Sequence, residues 1–284
     1  MISCLSSFAR LLSAHILLKY DTIVSYTLQN VSAPAITESN SLQISRIDKQ
    51  GYQIFDALTP SELHLVQSII LSKINELGKS ESINFSDWHS LLSSYTSNFS
   101  HLHSRLAPKP IRLFSGDDLD AVLKLSIFNR IRNDLGSFLI SDEELYGFPE
   151  IYWRLVRPNT YSDVGPLHAD GWFWDCNHWI MPHSTDKRVK IWVPIAAEPN
   201  LNGLLVVNES HNDSLMSYDV KVIDGKKKPV ISSIIPDSLP VLLPLRPGQA
   251  LAFNDSLLHG GAFNNAITPR ISFEFTCCFN TKHA

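Results

Sequence analysis

Apolar positions recur with two different periods in the two halves of the chain. Between residues 59 and 136 the spacing is helical. Thr59-Pro60-Ser61-Glu62 has the form of a capping box with Pro60 at the first helical position. Leu63, Val66, Ile69, Ile70 and Ile74 follow it, which predicts a helix ending near Gly78. A second helix is expected over 88–95. A third is expected from Ser115 as N-cap, with Asp117 and Asp118 at the positive end of its dipole, through Leu119, Val122, Ile127 and Ile131 to Gly136. From Glu150 onward the period shortens to two. Segments 151–157, 188–195, 203–208, 241–243, 249–253 and 271–279 are rich in strand formers, and Asn202-Gly203, Asp224-Gly225 and Pro247-Gly248 punctuate them. A short strand opened by Gly51 precedes the helices. Helices first and many short strands afterwards predict a mainly β chain with N-terminal helices (α+β), a jelly roll with helices packed on one sheet.

Composition narrows the classes. The 284 residues, 44% hydrophobic and 18% charged, suit one globular domain over residues 43–284 with an extension over 1–42. That extension is Ser-rich, lacks an acid before Asp21, and reads either as a targeting segment or as an amphipathic first helix. A formal net charge of -4 gives no footprint for nucleic acid, and Lys226-Lys227-Lys228 is expected on a solvated turn. No apolar run reaches membrane-spanning length. Four cysteines, two of them adjacent, make no disulfide framework and favour a reducing, cytoplasmic setting. The sequence leaves the oligomeric state open.

The candidate chemistry lies in Pro166-Leu167-His168-Ala169-Asp170, directly after the 151–157 strand. In an extended chain, i and i+2 share a face, so His168 and Asp170 are expected to point into one cavity. One nitrogen and one oxygen ligand leave a metal under-coordinated. His259, delivered after the 249–253 strand, is the candidate third ligand, giving the two-His-one-carboxylate set of non-haem Fe(II) oxygenases. Arg270 follows eleven residues later and offers a planar fork for a carboxylate. Ser272 stands on the same strand face.

With Asp48-Lys49-Gln50-Gly51-Tyr52, Val193-Pro194, 202–207, Ser210-His211, Pro247-Gly248, His259-Gly260 and Pro269-Arg270 also in order, the chain resembles the phytanoyl-CoA dioxygenase-like family of Fe(II)/2-oxoglutarate-dependent oxygenases over roughly residues 45–279. The resemblance implies a double-stranded β-helix (cupin-like jelly roll), with Fe(II) on His168, Asp170 and His259. It also implies 2-oxoglutarate as cosubstrate, its distal carboxylate on Arg270 with Ser272 in support and Trp192 at its border, and O2 as oxidant. The implied reaction hydroxylates a small molecule and releases succinate and CO2. Desaturation or ring closure on the same site, and a non-catalytic binding protein on the same fold, are the alternatives. Asp170 speaks against the halogenating relatives, which carry a small residue there. Gly261 stands where the family often has Ser or Thr.

Segment 171–188 is unusually aromatic. Trp172, Phe173, Trp174 and Trp179 read equally as core or as a substrate wall. Arg154 and Arg157 have opposite parity, so at most one points inward, where it suits an anionic group. With Arg157, the aromatic segment hints at a substrate with an apolar part and a negative group. His178 and His183 lie in the same segment without ligand spacing, and His211 is expected to be structural.

Overall fold

The computed structural model describes residues 41–280 apart from 183–184, 213–215, 224 and 234–239. The extension expected over 1–42 lies outside them but for Ser41 and Leu42. The described chain opens with helix α1 (Ile44–Gln50), which the sequence pattern had not marked. It ends at Gly51, whose φ of 89° is the left-handed turn that launches strand β1 (Tyr52–Asp56). Helix α2 (Pro60–Gly78) carries the expected capping box: the Thr59 side chain accepts from Glu62 N, and the Glu62 carboxylate accepts from Thr59 N at 2.8 Å. Helix α3 (Trp88–Ser94) has its own box, Asp87 with Ser90. Helix α4 (Ser100–Leu106) and a single turn at Lys109–Arg112 follow.

The long helix expected from Ser115 is instead two, α5 (Asp117–Val122) and α6 (Ser126–Leu135). Its N-cap is Gly116, not Ser115. The break falls at Leu125, whose extended backbone opens a new helix, with Ser126 N donating to the Glu62 carboxylate at 2.6 Å. A carboxylate from another helix thus supplies the cap that the local sequence lacks.

The strands are β2 (Phe138–Ile140), β3 (Tyr152–Val156), β4 (Lys187–Ala196), β5 (Leu204–Val206), β6 (Tyr218–Ile223), β7 (Lys226–Ile231), β8 (Val241–Leu242), β9 (Gln249–Asn254), β10 (His259–Gly261) and β11 (Arg270–Phe279). Lys226, Lys227 and Lys228 open β7 in a hairpin with β6 and do not form the turn expected of them; the first two are exposed. The main sheet runs β1-β9-β4-β11-β2, with β3 also on β11. The smaller sheet runs β10-β5-β8, and all named pairs are antiparallel. Both expected halves of a jelly roll are therefore present.

Alternation along β4 and β11 gives the main sheet two different faces. Val189, Ile191, Val193 and Ile195 meet Phe273, Phe275 and Cys277 on one face, under Val66, Ile70 and Ile74 of α2 and Ile127 and Ile131 of α6. On the other face Trp192, Leu251 and Phe253 pack against Leu204, Val206, Leu243 and Leu245. The first face is a helix-covered core. The second is the interior of the jelly roll, where the candidate site lies. No helix among the described residues is long and apolar enough to cross a membrane.

Candidate metal centre

His168 and His259 are 91 positions apart, yet they are bonded neighbours. His168 N donates to His259 O and His259 N donates to His168 O, both at 2.8 Å, so residue 168 adds to β10 of the smaller sheet. Directly opposed residues of an antiparallel pair project on the same side, and the two ring centroids lie 4.5 Å apart. Each ring is oriented from behind: Nδ1 of His168 donates to Pro166 O and Nδ1 of His259 to Leu257 O, both at 2.9 Å. That fixes each Nε2 toward the centre. Burial holds the His168 imidazole down at about 4, with repulsion from His259 adding to it, so its Nε2 keeps a free lone pair at neutral pH.

Asp170 arrives differently from expectation. The strand does not continue through it. Ala169 is extended, and Asp170 is the first residue of helix α7 (Asp170–Asn177), anchored by Gly171 N donating to Asp255 O at 2.8 Å. The carboxylate still faces the imidazoles: Oδ1 is 3.8 Å from His168 Nε2 and Oδ2 is 3.8 Å from His259 Nε2. Burial pushes its carboxyl up, but Lys190 and the two imidazoles bring it down to about 2. One donor atom from each of the three residues lies within 4.8 Å of the others, an arrangement able to hold a metal ion. Asp170 Oδ2 is buried without a hydrogen-bond partner. Oδ2 has the Lys190 ammonium at 3.7 Å and His259 Nε2 at 3.8 Å, neither at hydrogen-bond distance, so a buried carboxylate and two imidazole nitrogens are left with unused donor capacity, and the donor set fits Fe(II).

Beside this trio lies a buried cation of unusual isolation. Arg270 is 2% exposed; Nη1 donates to Gly203 O and Nε has no partner. Its guanidinium lies 5.9 Å from the Trp192 ring centroid, and burial, helped by Arg154, holds its pKa down at about 9. Ser272, on the same face, is 1% exposed with an unpartnered hydroxyl. A buried guanidinium and hydroxyl with unused donors suit a carboxylate. Gly261 leaves room for them, since a Cβ there would sit 3.1 Å from Arg270 Nη2.

The remaining wall is charged, which the sequence reading missed. Lys190 is 3% exposed, with Nζ 3.7 Å from Asp170 Oδ2 and 3.3 Å from the Tyr152 hydroxyl. Lys190, Asp170 and Glu274 act on one another electrostatically. The signal was available: Lys190 shares parity with Trp192, and Glu274 shares it with Arg270 and Ser272.

The expected substrate residues are more dispersed. Trp172 stacks on Tyr218 of β6, with centroids 5.0 Å apart. Trp174 is buried against Trp179 and under the Arg188 guanidinium. Arg157 is buried and committed to Asp163 at 2.7 Å and Ser100 at 3.0 Å. His211 is structural as expected, its Nε2 bonded to Asp48 O at 2.7 Å. His178 caps α7 in the left-handed region, and His183 lies outside the described residues.

Comparison with known proteins places this geometry. Residues 115–272, more than half of the chain, match the phytanoyl-CoA dioxygenase (PhyH) family. Among curated proteins no sequence matches significantly. The fold is similar to that of the apo non-heme monooxygenase ThoJ, 14% identical, with 82% of this chain and 76% of that one covered and a TM-score of 0.54. Two further similar structures are EctD from S. alaskensis with bound Fe (16% identical, 88% and 82% covered, TM-score 0.47) and EvdO2 from Micromonospora carbonacea var. aurantiaca complexed with 2-oxoglutarate (14% identical, 82% and 88% covered, TM-score 0.43). With a double-stranded β-helix, a His-Asp-His cluster in its interior and the family's pattern over most of its strands, the chain belongs to the phytanoyl-CoA dioxygenase family of non-haem Fe(II)/2-oxoglutarate-dependent oxygenases.

Proposed function

We propose that the chain hydroxylates a small molecule at the interior of its jelly roll, with His168, Asp170 and His259 holding Fe(II) and Arg270 anchoring 2-oxoglutarate. The observation that carries this is the Asp170 carboxylate, Oδ1 3.8 Å from His168 Nε2 and Oδ2 3.8 Å from His259 Nε2 with no hydrogen bond of its own, facing two imidazoles whose Nδ1 atoms are tied back. Bound there, the iron supplies the oxidising chemistry: 2-oxoglutarate, O2 and a substrate C–H become succinate, CO2 and C–OH.

The protein's own part is positional. The backbone pairing of residues 168 and 259 fixes two donors, and the start of α7 fixes the third. With only these three protein donors, a ferrous ion held there would keep positions free for cosubstrate and O2. Arg270 and Ser272 receive the distal carboxylate with donors that have no other use, and Trp192 borders it. Lys190 stays charged and, 3.7 Å from Asp170 Oδ2, keeps that carboxylate ionised. Phe253 packs on the His259 ring and Phe173 on the His168 ring, centroids 4.6 and 5.5 Å away, and give the two imidazoles an apolar backing.

Adding Fe(II) and 2-oxoglutarate under argon gives a visible charge-transfer band in the wild type and none in His168→Ala or Asp170→Ala. Oxygen then releases succinate, faster with the right substrate in a panel of small molecules. A wild type that shows neither band nor succinate is not such an enzyme.

A further inference from the structure

The edge of the main sheet next to the metal centre holds a second feature. Among the named strands β3 pairs with β11 alone, Leu113 bridges its Tyr152, and α4 and the Lys109–Arg112 turn pack beside it around a cavity of about 280 Å³. Its charged lining is His103, Arg112, Arg154, Arg157 and Asp163. Asp163 is the sole carboxylate among them, and it is used up. Arg157 Nη2 and Nε reach it at 2.7 and 2.9 Å, and His103 at 3.3 Å. Two guanidiniums are left over.

Arg112 has its fork fixed from behind, Nε on Ala107 O and Nη1 on Trp153 O, both at 3.1 Å, which leaves Nη2 without a partner. The Arg154 backbone belongs to the β3–β11 ladder opposite Ser272, while its guanidinium makes no hydrogen bond or ion pair with any described residue. Each lies within range of the other's charge. Glu274 acts on both guanidiniums and Glu144 on Arg112, but Lys190 is the larger influence on Glu274 and Arg270 shares it, so the cations on this wall outnumber the carboxylates. Two like charges sharing one cavity repel, and an arrangement of this kind is stable where an anion completes it. General basicity does not explain the pair, because the chain as a whole carries a net charge of -4. Arg154 also stands opposite Ser272 in the strand register, so one residue borders both the cavity and the metal centre.

We propose that Arg112 and Arg154 form the subsite for an oxyanion on the substrate, a carboxylate or a sulfate- or phosphate-like group, held there while the rest of the molecule reaches toward the metal centre. This rests on the oxygenase reading for its reaction, although the anion site itself does not depend on it. The volume of about 280 Å³ is enough for such a group with a short chain behind it. The fixed Nη2 of Arg112 and the free fork of Arg154 offer charge-assisted contacts from two residues, which selects an anion by position as well as charge.

The test uses the full chain loaded with Fe(II) and 2-oxoglutarate under argon, titrated calorimetrically with sodium sulfate and, separately, sodium acetate. The wild type binds at least one, and the tighter of the two tells a tetrahedral from a planar group. Arg112→Gln and Arg154→Gln each weaken that binding about tenfold or more. Arg154→Lys keeps most of it, and the 2-oxoglutarate band is unchanged throughout. A wild type that binds neither anion overturns the proposal, as do glutamine variants that bind as the wild type does. Loss of the band in Arg154→Gln also overturns it, by assigning that guanidinium to the cosubstrate. A wild type with no band that still binds the anion separates failure of the oxygenase reading from failure of this one.

Discussion

Each imidazole at the centre has one nitrogen bonded to a carbonyl two residues before it, and that local bond decides which nitrogen is left for a metal. Arg270 is the complementary case, a cation in contact with a carbonyl and an indole face, with Glu274 acting on it only from beyond ion-pair distance among the described residues. Arg270→Gln should therefore raise the 2-oxoglutarate concentration for half-maximal band intensity by about a hundredfold, equivalent to about 3 kcal/mol for one partner of a buried charge pair. Iron affinity should be untouched. Gly261→Ala inserts a methyl 3.1 Å from Arg270 Nη2 and 3.1 Å from Val164 Cγ1, and Arg270 is too buried to swing freely away. The same titration should show weakening of about tenfold, since small misplacements of an anchoring group are felt strongly. Equal 2-oxoglutarate binding in both variants would remove Arg270 from the cosubstrate site.

Elements show where local pattern suffices and where it fails. The Thr59–Glu62 box, the α2 boundaries and the main strands were legible because their determinants lie within a few residues of one another. So was the ligand trio by identity, since His-x-Asp followed by a distant His and an Arg carries its own chemistry. The break between α5 and α6 was not legible: Leu119, Val122, Ile127 and Ile131 keep helical spacing across it, and the capping carboxylate comes from Glu62, 64 positions away. Asp170 was assigned to an extended strand because parity alone cannot show a helix starting there, even though the convergence survived. Lys190, Glu274 and Arg154 were readable by parity once the inward face was fixed, as charged residues at inward positions of apolar strands. Glu62 caps two helices at once. Glu62→Ala should cost about 1–2 kcal/mol in urea denaturation, at the upper end for a cap because Thr59 N and Ser126 N both lose their acceptor. A loss no larger than an ordinary surface substitution would mean that the α5–α6 break is held by something else.

At the scale of the whole molecule, two sheets enclose a wall that is apolar on one side and charged on the other, and the edge strand β3 ties that wall to the helical layer. Asp163 is the charged fastening there. Burial pushes its carboxyl up, but Arg157 and His103 hold it well below the ordinary carboxylate range. With the folded value below the unfolded one of about 3.9, its stabilisation is complete above about pH 4 and is lost as pH falls below that toward the folded value. Asp163→Asn should cost about 3 kcal/mol at pH 7, because it leaves Arg157 buried and unpaired, and should flatten the acid limb of the urea midpoint against pH. An unchanged acid limb would show that the pair does not fasten β3.

The central claim is that residues 168, 170 and 259 hold one ferrous ion beside Arg270. Crystals grown with Fe(II) and 2-oxoglutarate under argon, measured at the iron absorption edge, test it most directly. The account predicts one anomalous peak within bonding distance of both Nε2 atoms and an Asp170 oxygen, with the distal carboxylate of 2-oxoglutarate on the Arg270 guanidinium. A peak bound by other residues, or a cosubstrate carboxylate held away from Arg270, would contradict it.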